Sequence, residues 1–520
     1  MDQQSGMPPH PRRAELIAAL SLAIDLGLGL PLEHMLRSCW IAMRLADLVG
    51  VDAADRETAY YGGLLAWIGC HADSEEFAEL FGDDIAFRAS SYLLDWSGPR
   101  FAAFLVRTVG TERPAIEHAA RLARFVTNSR AELRAVIGSH CVSAGALAGR
   151  LGLPPHVIDG LRFTFERWDG SGLPTGAVRE RIPLGMRLVH IADVAEVHLS
   201  RDGLEAAVQT VRSRSGTQFD PALAEVFCRN IDRLRPPEDD VWSTVLDLAP
   251  DRDRRLTEVE TDELLTAIGD FVDLKCPWTI GHSRAVSQLA LDSGRILGLA
   301  AFDLAALRRA GHVLDIGRMG VPNRVWRKPS PSMAEQERIR LHPYLTRRIL
   351  DRVDALRSIA SLAGAHHERV DGTGYPQSFV GAELTQAARV LAVADAYRSL
   401  RESDPLVGAL DQDETATRLR AEARRGALDA PSVDAVLEAT GSPGARHVEW
   451  PAGLTAREVG VLRLIASGAS AKIVASQLSI APKTARNHIE HIYTKIGASN
   501  RTGAALFALN QGLVGVPPES

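Results

Sequence analysis

The chain has no run of about 18 apolar residues, the length a helix needs to cross a bilayer, so no membrane span is expected. Arg12 and Arg13 precede an apolar run, as in a secretory leader, but Glu15 and Asp25 interrupt it and no small-residue cleavage site follows. Strand-like alternation is scarce, which argues against a sheet-based fold. The five cysteines (Cys39, Cys70, Cys141, Cys228, Cys276) are odd in number, scattered and without CxxC spacing. They point to reduced thiols packed in the cores of a cytoplasmic protein, not to a disulfide framework. Nor is the chain basic as a whole. A net charge of −6 excludes a polypeptide that neutralises nucleic acid along its length, and leaves room for one basic module.

What is present is helical periodicity, starting near Ala14 and dominating 520 residues, enough for several domains. Residues 1–13 are polar and Pro-rich and are expected to be disordered. Breakers stand at Pro236–Asp240 (PPEDD), followed by the charged run Asp251–Arg255, and at Gly441–Ala445 (GSPGA). They predict a first domain over 14–235, a linker over 236–256, a second domain over 257–440, a linker over 441–452 and a third domain over 453–514.

The first two domains read as repeats. DLGLGLPLEH at Asp25–His34 pairs with DLKCPWTIGH at Asp273–His282, and LLAWIG at Leu64–Gly69 pairs with HVLDIG at His312–Gly317, both at an offset of 248. ERWDGSGLP at Glu166–Pro174 pairs with ERVDGTGYP at Glu368–Pro376, His140 with His342, and Asp193 with Asp395, all at an offset of 202. Fixed register over several short matches predicts internal duplication, with an insertion of 46 residues in the first copy between Cys70 and His140.

The chemistry concentrates at His366–Pro376, HHERVDGTGYP. Adjacent histidines point in different directions and rarely both find core partners, and neutral imidazole is the commonest metal ligand. The plain alternative is a loop with two solvated histidines. The stretch resembles the second signature of the HD-GYP family, a branch of the HD metal-dependent phosphohydrolases that typically hydrolyses cyclic-di-GMP. That resemblance implies metal ligands at His282 (in GHSRAV), Asp315 (in LDIGRMGVP), His342 (in RLHPY), His366, His367 and Asp395 (in AVADAY), with Asp315 bridging two ions. Bound metal would lower the pKa of water and make hydroxide available.

The sequence departs from that pattern where it matters. Leu314 stands at the histidine of the His-Asp pair, and leucine cannot ligate. His312 lies two residues away, about 200° round a helix, and faces elsewhere. Arg318 replaces the family's lysine and keeps a positive charge for phosphate, so Asp315 and Arg318 are the catalytic candidates. Arg398 replaces the second Asp of the family's DxYDAL pattern. By the family's geometry one metal position (Asp315, His342, His366, His367) is complete, and the other keeps His282, Asp315 and Asp395. One divalent transition metal, iron or manganese, is expected in this domain. None is expected in the first, where Ala66-Trp67 and Thr164-Phe165 replace the ligand pairs although His34, His140 and Asp193 remain.

Residues 453–514 resemble the helix-turn-helix domain of LuxR-type regulators along their length. In Ala481–Ile496, Ala485, Ile489, Ile492 and Ile496 recur at 4-3-4 spacing as a buried stripe. Lys483, Thr484, Arg486, Asn487, His491 and Lys495 then face DNA as the recognition surface, preceded by a short helix at Ser470–Gln477. From Trp450 to Ser520 seven cations oppose three acids, so the positive charge sits in this module.

The fold class expected is all-α: two HD-like helical bundles followed by a four-helix LuxR-type domain. The function expected is a cytoplasmic bacterial transcription regulator. It would bind double-stranded DNA as a homodimer, with HD-GYP-like modules that sense a cyclic dinucleotide or other phosphate ligand, or that dimerise. The alternative is a metal-dependent cyclic-di-GMP phosphodiesterase active in the second module.

Overall fold

Arg13–Leu28 is apolar on every face, and Leu16, Ile17, Leu20, Leu22 and Ile24 are all buried, so this helix lies inside a bundle. It belongs to a computed structural model that describes residues 10–109, 115–402, 408–441, 451–477 and 481–514; the side chains of 115–132, 456, 457 and 477 lie outside the description. Among the described residues the regular structure is helical, and strand pairing is limited to isolated bridges. The chain divides into two compact units: one is His10–Glu258 with Pro322–Arg324, the other the remaining described residues from Val259 onward.

In the first unit the helices His34–Val49, Ala53–Leu65 and Leu184–Asp202 pack together, and the long helix Ala115–Arg150 starts in the insertion and runs past His140. Two boundaries differ from expectation. The helix starts at Arg13, and the carbonyl of Pro11 accepts from the Leu256 N–H at 2.9 Å, so residues 10–13 are held; residues 1–9 lie outside the described residues. The stretch 236–256 is not a free linker either. It contains the helix Val241–Asp247, which buries Val241, Trp242, Val245 and Leu246. The acidic end of the PPEDD breaker supplies its cap: Asp240 accepts from Ser243 N–H at 3.0 Å.

The second domain is built from Glu258–Asp273, His282–Ile296, Ala301–Val313, His342–Leu350, Arg357–Ala363 and Gln386–Arg401, closed by Gln412–Arg424 and Ala430–Ala439. It shares a set of local contacts with the first domain. Asp25 accepts from Met35 N–H at 3.1 Å and Asp273 from Ser283 N–H at 2.9 Å, so in each domain a buried aspartate caps the helix that starts at His34 or His282. Burial pushes the Asp273 carboxyl up to about 8. A Cβ on Gly69 would stand 2.3 Å from the His140 carbonyl oxygen, and one on Gly317 would stand 2.0 Å from that of His342. Only glycine lets these turns approach so closely. Glu166 accepts from the N–H groups of Thr175, Gly176 and Ala177, and Glu368 from those of Gln377 and Phe379. Both loops carry a cis X-Pro bond, Leu173–Pro174 and Tyr375–Pro376.

Glu368 is 1% exposed, and its removal takes the acceptor from two loop amides. Glu368→Ala is expected to destabilise the chain by about 3 kcal/mol, near the upper range for charge-assisted hydrogen bonds, with a matching drop in Tm. An unchanged Tm would show that the loop holds without its carboxylate.

The C-terminal domain contains helices Ala456–Ala466, Ala471–Gln477, Pro482–Ile496 and Arg501–Asn510. Pro482 sits in the first turn and Ala481 gives no side-chain cap. The linker expected over 441–452 falls mostly outside the described residues.

Candidate metal centre

The six residues expected as ligands converge within the second domain. His342 opens the helix His342–Leu350. Its Nδ1 donates to the Ile339 carbonyl at 2.6 Å, and that of His366 donates to the Ala363 carbonyl at 2.6 Å. A carbonyl can only accept, so both protons sit on Nδ1 and both Nε2 atoms carry lone pairs. Those Nε2 atoms lie 3.0 Å apart, and 3.4 and 3.5 Å from Asp315 Oδ1. Asp315 Oδ1 is buried with no hydrogen-bond partner. Three lone-pair sites with no donor among them repel one another, and a cation resolves the repulsion. His342, His366 and His367 each offer a ligand atom, all within 4.8 Å of one another.

The charge states fit that use. Burial holds His342 below the ordinary imidazole pKa and His367 well below it. Burial opposes ionisation of Asp315, but the Arg318 cation beside it outweighs burial and keeps the carboxyl well below its usual range.

The second position is different. His282 Nε2 is 3.2 Å from Asp395 Oδ1 and 3.7 Å from Asp315 Oδ2, and His367 Nδ1 is 3.6 Å from Asp395 Oδ2. Leu314 is fully buried where the family has a ligand; its carbonyl accepts from Thr346 Oγ1 at 2.9 Å. Arg318 Nη1 donates to Asp315 Oδ2 at 3.0 Å, with its guanidinium 4.2 Å above the Trp326 ring. The Asp315 carboxylate is thus divided. Oδ1 faces the imidazoles, and Oδ2 is engaged by a fixed cation. His312 faces away from this centre, with Nε2 at 3.4 Å from Thr266 Oγ1, and burial lowers its pKa to about 4.

Glu402, Thr346 and Trp326 were not anticipated. Glu402 accepts from His282 Nδ1 at 2.8 Å. In the first domain the same service comes from Glu196, which pairs with His34 Nδ1 and occupies the position of Arg398 at the offset of 202. The replacement at 398 was itself the signal: a buried ligating histidine needs a carboxylate on its far nitrogen, so another one had to stand close by.

The first domain's equivalents do not form such a centre. His140 Nε2 lies 3.1 Å from the Ala66 carbonyl, so the nitrogen matching the His342 lone pair carries a proton and donates it. Trp67 Nε1 donates to both oxygens of Asp193 at 3.1 Å, and His34 Nε2 lies 3.1 Å from Asp193 Oδ1.

A family model described as "HD domain" matches residues 267–431, and one described as "Bacterial regulatory proteins, luxR family" matches 452–508. The chain is 30% identical over 407 residues to the 3'3'-cGAMP-specific phosphodiesterase 3 of Vibrio cholerae, covering 77% of this chain and 88% of that protein. The chain belongs to the HD-GYP family. It is also 25% identical over 317 residues to the 3'3'-cGAMP-specific phosphodiesterase 1 of the same organism, covering 57% of this chain and 73% of that protein. The crystal structure of a cyclic GMP-AMP specific phosphodiesterase of V. cholerae matches with a TM-score of 0.58 at 26% identity, over 83% of this chain and 98% of that one.

In the LuxR-type domain of the HD-GYP chain most of the residues expected to face DNA are open to solvent. Lys483, Thr484, Arg486, Asn487 and His491 are exposed, while Ala485 and Ile492 are buried and Ile489 and Ile496 half-buried. Lys495 differs from expectation: its Nζ pairs with Glu458 at 2.8 Å and donates to the Gly453 carbonyl at 3.3 Å, so it ties the domain together. No helix among the described residues is long and apolar enough to cross a membrane.

His366→Ala removes the central lone pair of the cluster. Loss of an outer partner of a ligand already costs about 10–100-fold in metal affinity, so loss of this ligand should cost at least about 100-fold. Equilibrium titration with Mn(II) on the folded variant checks it; affinity within tenfold of wild type (~1.4 kcal/mol) contradicts the assignment.

Proposed function

We propose that this chain is a DNA-binding regulator whose second HD-GYP module holds one divalent transition metal, iron or manganese, and with it a cyclic dinucleotide. The observation that carries this is the meeting of His342 Nε2, His366 Nε2 and Asp315 Oδ1 without a donor among them. His342, His366, His367 and Asp315 would hold the ion, which would polarise a phosphoryl oxygen and acidify bound water. The chain's own part is to fix the imidazole tautomers through the Ile339 and Ala363 carbonyls, and to keep Arg318 charged beside Asp315. In the first module the bridging position is Trp67 and His140 Nε2 is spent on a carbonyl, so that module takes no metal. The shared caps, glycine contacts and carboxylate-held loops support descent of the two modules by duplication. The LuxR-type domain is the output, acting as a homodimer because one small helix-turn-helix reads too few bases alone.

The names of the relatives favour 3'3'-cyclic GMP-AMP beside cyclic-di-GMP as the ligand, and they also support a second reading, residual phosphodiesterase activity. The test is metal analysis of the purified chain, calorimetric titration with both cyclic dinucleotides, and product analysis. One ion per chain, saturable binding and no product support the regulator. Two ions and rapid turnover identify an enzyme. No metal and no nucleotide binding reject both.

A further inference from the structure

The first module keeps an open cleft beside the position where the second gathers its histidines. Trp67 and Phe165 stand at the positions of Asp315 and His367 by the offsets of 248 and 202. They do not plug the space. Their rings meet edge to face at 5.2 Å, Trp96 approaches Trp67 at 6.1 Å, and together they wall a cleft of about 570 Å³, its open mouth included. An apolar cavity lined by the same three rings adjoins it and extends toward Phe77 and Phe87.

Two buried guanidiniums, Arg167 and Arg214, line the same cleft. Arg167 gives Nη1 to Asp95 at 2.8 Å and Nη2 to Ser97 Oγ at 3.2 Å, leaving a buried Nε with no hydrogen-bond partner. Asp169 comes within 4.0 Å of that Nε but accepts from Ser171 N–H and Oγ. Arg214 Nη1 donates to Gln218 Oε1 at 3.1 Å. The carboxylates that line the cleft are engaged: Glu166 by the loop amides, Asp193 by His34 and Trp67. A cleft with aromatic walls, two guanidiniums, one of them with an unpartnered Nε, and carboxylates already engaged suits a ligand that is flat on one side and anionic on the other.

We propose that this cleft binds a small planar anion, a flat unsaturated ring bearing a phosphate or a carboxylate. The ring lies against Trp67 and Phe165, and the anionic group reaches Arg167 and Arg214. Two sources supply that chemistry, a nucleoside monophosphate and an aromatic carboxylate. The site does not depend on the metal centre of the second module.

The test uses the full chain carrying His366→Ala and freed of metal, so that binding at the second module is suppressed. Tryptophan emission is followed on titration with GMP, with 2-naphthoate and with inorganic phosphate. GMP or 2-naphthoate is expected to saturate with a Kd below about 1 mM, while phosphate alone binds at least about tenfold more weakly. Saturation by one and not the other names the source. Arg214→Gln and Phe165→Ala are each expected to weaken binding about tenfold or more. If one of them fails to fold, the other decides. No saturation by GMP or 2-naphthoate, equal binding of phosphate alone, or binding indifferent to a folded variant overturns the proposal.

Discussion

Replacing Leu314 by histidine together with Arg318 by lysine is expected to raise the metal content of the chain from one ion to two. The incomplete position already offers His282 Nε2, Asp315 Oδ2 and Asp395 Oδ1, spaced 3.7 and 3.2 Å from the imidazole nitrogen. Two features oppose an ion there. Leu314 puts a fully buried apolar side chain where a donor belongs, and Arg318 Nη1 donates to Asp315 Oδ2 at 3.0 Å, occupying the oxygen a second ion would use. Leu314→His alone supplies a ligand but leaves the guanidinium in place, so the double variant should take up the second ion more tightly than the single one. With both ions present the attacking and leaving oxygens of a phosphodiester can be clamped together, and turnover of 3'3'-cyclic GMP-AMP should rise at least about tenfold, a barrier change of ~1.4 kcal/mol. Metal content by mass spectrometry and product release by chromatography read the two effects separately. Tm guards against a misfolded variant, since a histidine buried at 314 must find partners. A wild type that already carries two ions sinks this account of Leu314 and Arg318, as does a folded double variant that stays at one ion with no gain in turnover.

The candidate ligands were legible through their resemblance to a family's motifs. His282, Asp315, His342, His366, His367 and Asp395 stand in those motifs, and they meet in the second domain. Helical content was legible because periodicity is local. What escaped was set by tertiary partners. Glu402 reaches His282 from 120 residues away, and its one mark in the sequence is the loss of a carboxylate at nearby Arg398. Lys495 carries the right charge on the right helix, but Glu458 and the Gly453 carbonyl engage it. PPEDD was read as a breaker, whereas Asp240 caps a helix whose Trp242 and Val245 are buried. The cleft of the first module was invisible because Tyr92, Leu94 and Trp96 come from an insertion that carries no motif.

Lys483→Ala combined with Arg486→Ala is expected to remove most of the DNA affinity of the chain, and the salt dependence should show why. Both residues are exposed on the helix Pro482–Ile496, beside exposed Thr484 and Asn487, while Ala485 and Ile492 turn into the domain. A cation that neutralises a phosphate releases a counterion, and each contributes about −0.9 to the log–log slope of affinity against salt. If both contact phosphate, the slope should flatten by about 1.8 per module, and affinity at physiological salt should fall about 100-fold. If Arg486 reads a base edge instead, the slope flattens by about 0.9 and discrimination against a mutated site relaxes by about 1–3 kcal/mol. Lys495→Ala separates charge from position. Its ammonium is held by Glu458 at 2.8 Å, so the variant should leave the slope unchanged and lower Tm instead. Asn487→Ala should leave the slope alone while lowering sequence preference, because a neutral amide contacting a base releases no counterion. Fluorescence anisotropy on a preferred and a mutated duplex at several salt concentrations distinguishes the three variants. A Lys483→Ala, Arg486→Ala double variant that keeps both affinity and slope, or a Lys495→Ala variant that loses the slope in its place, would move the DNA-binding surface off this face of the helix.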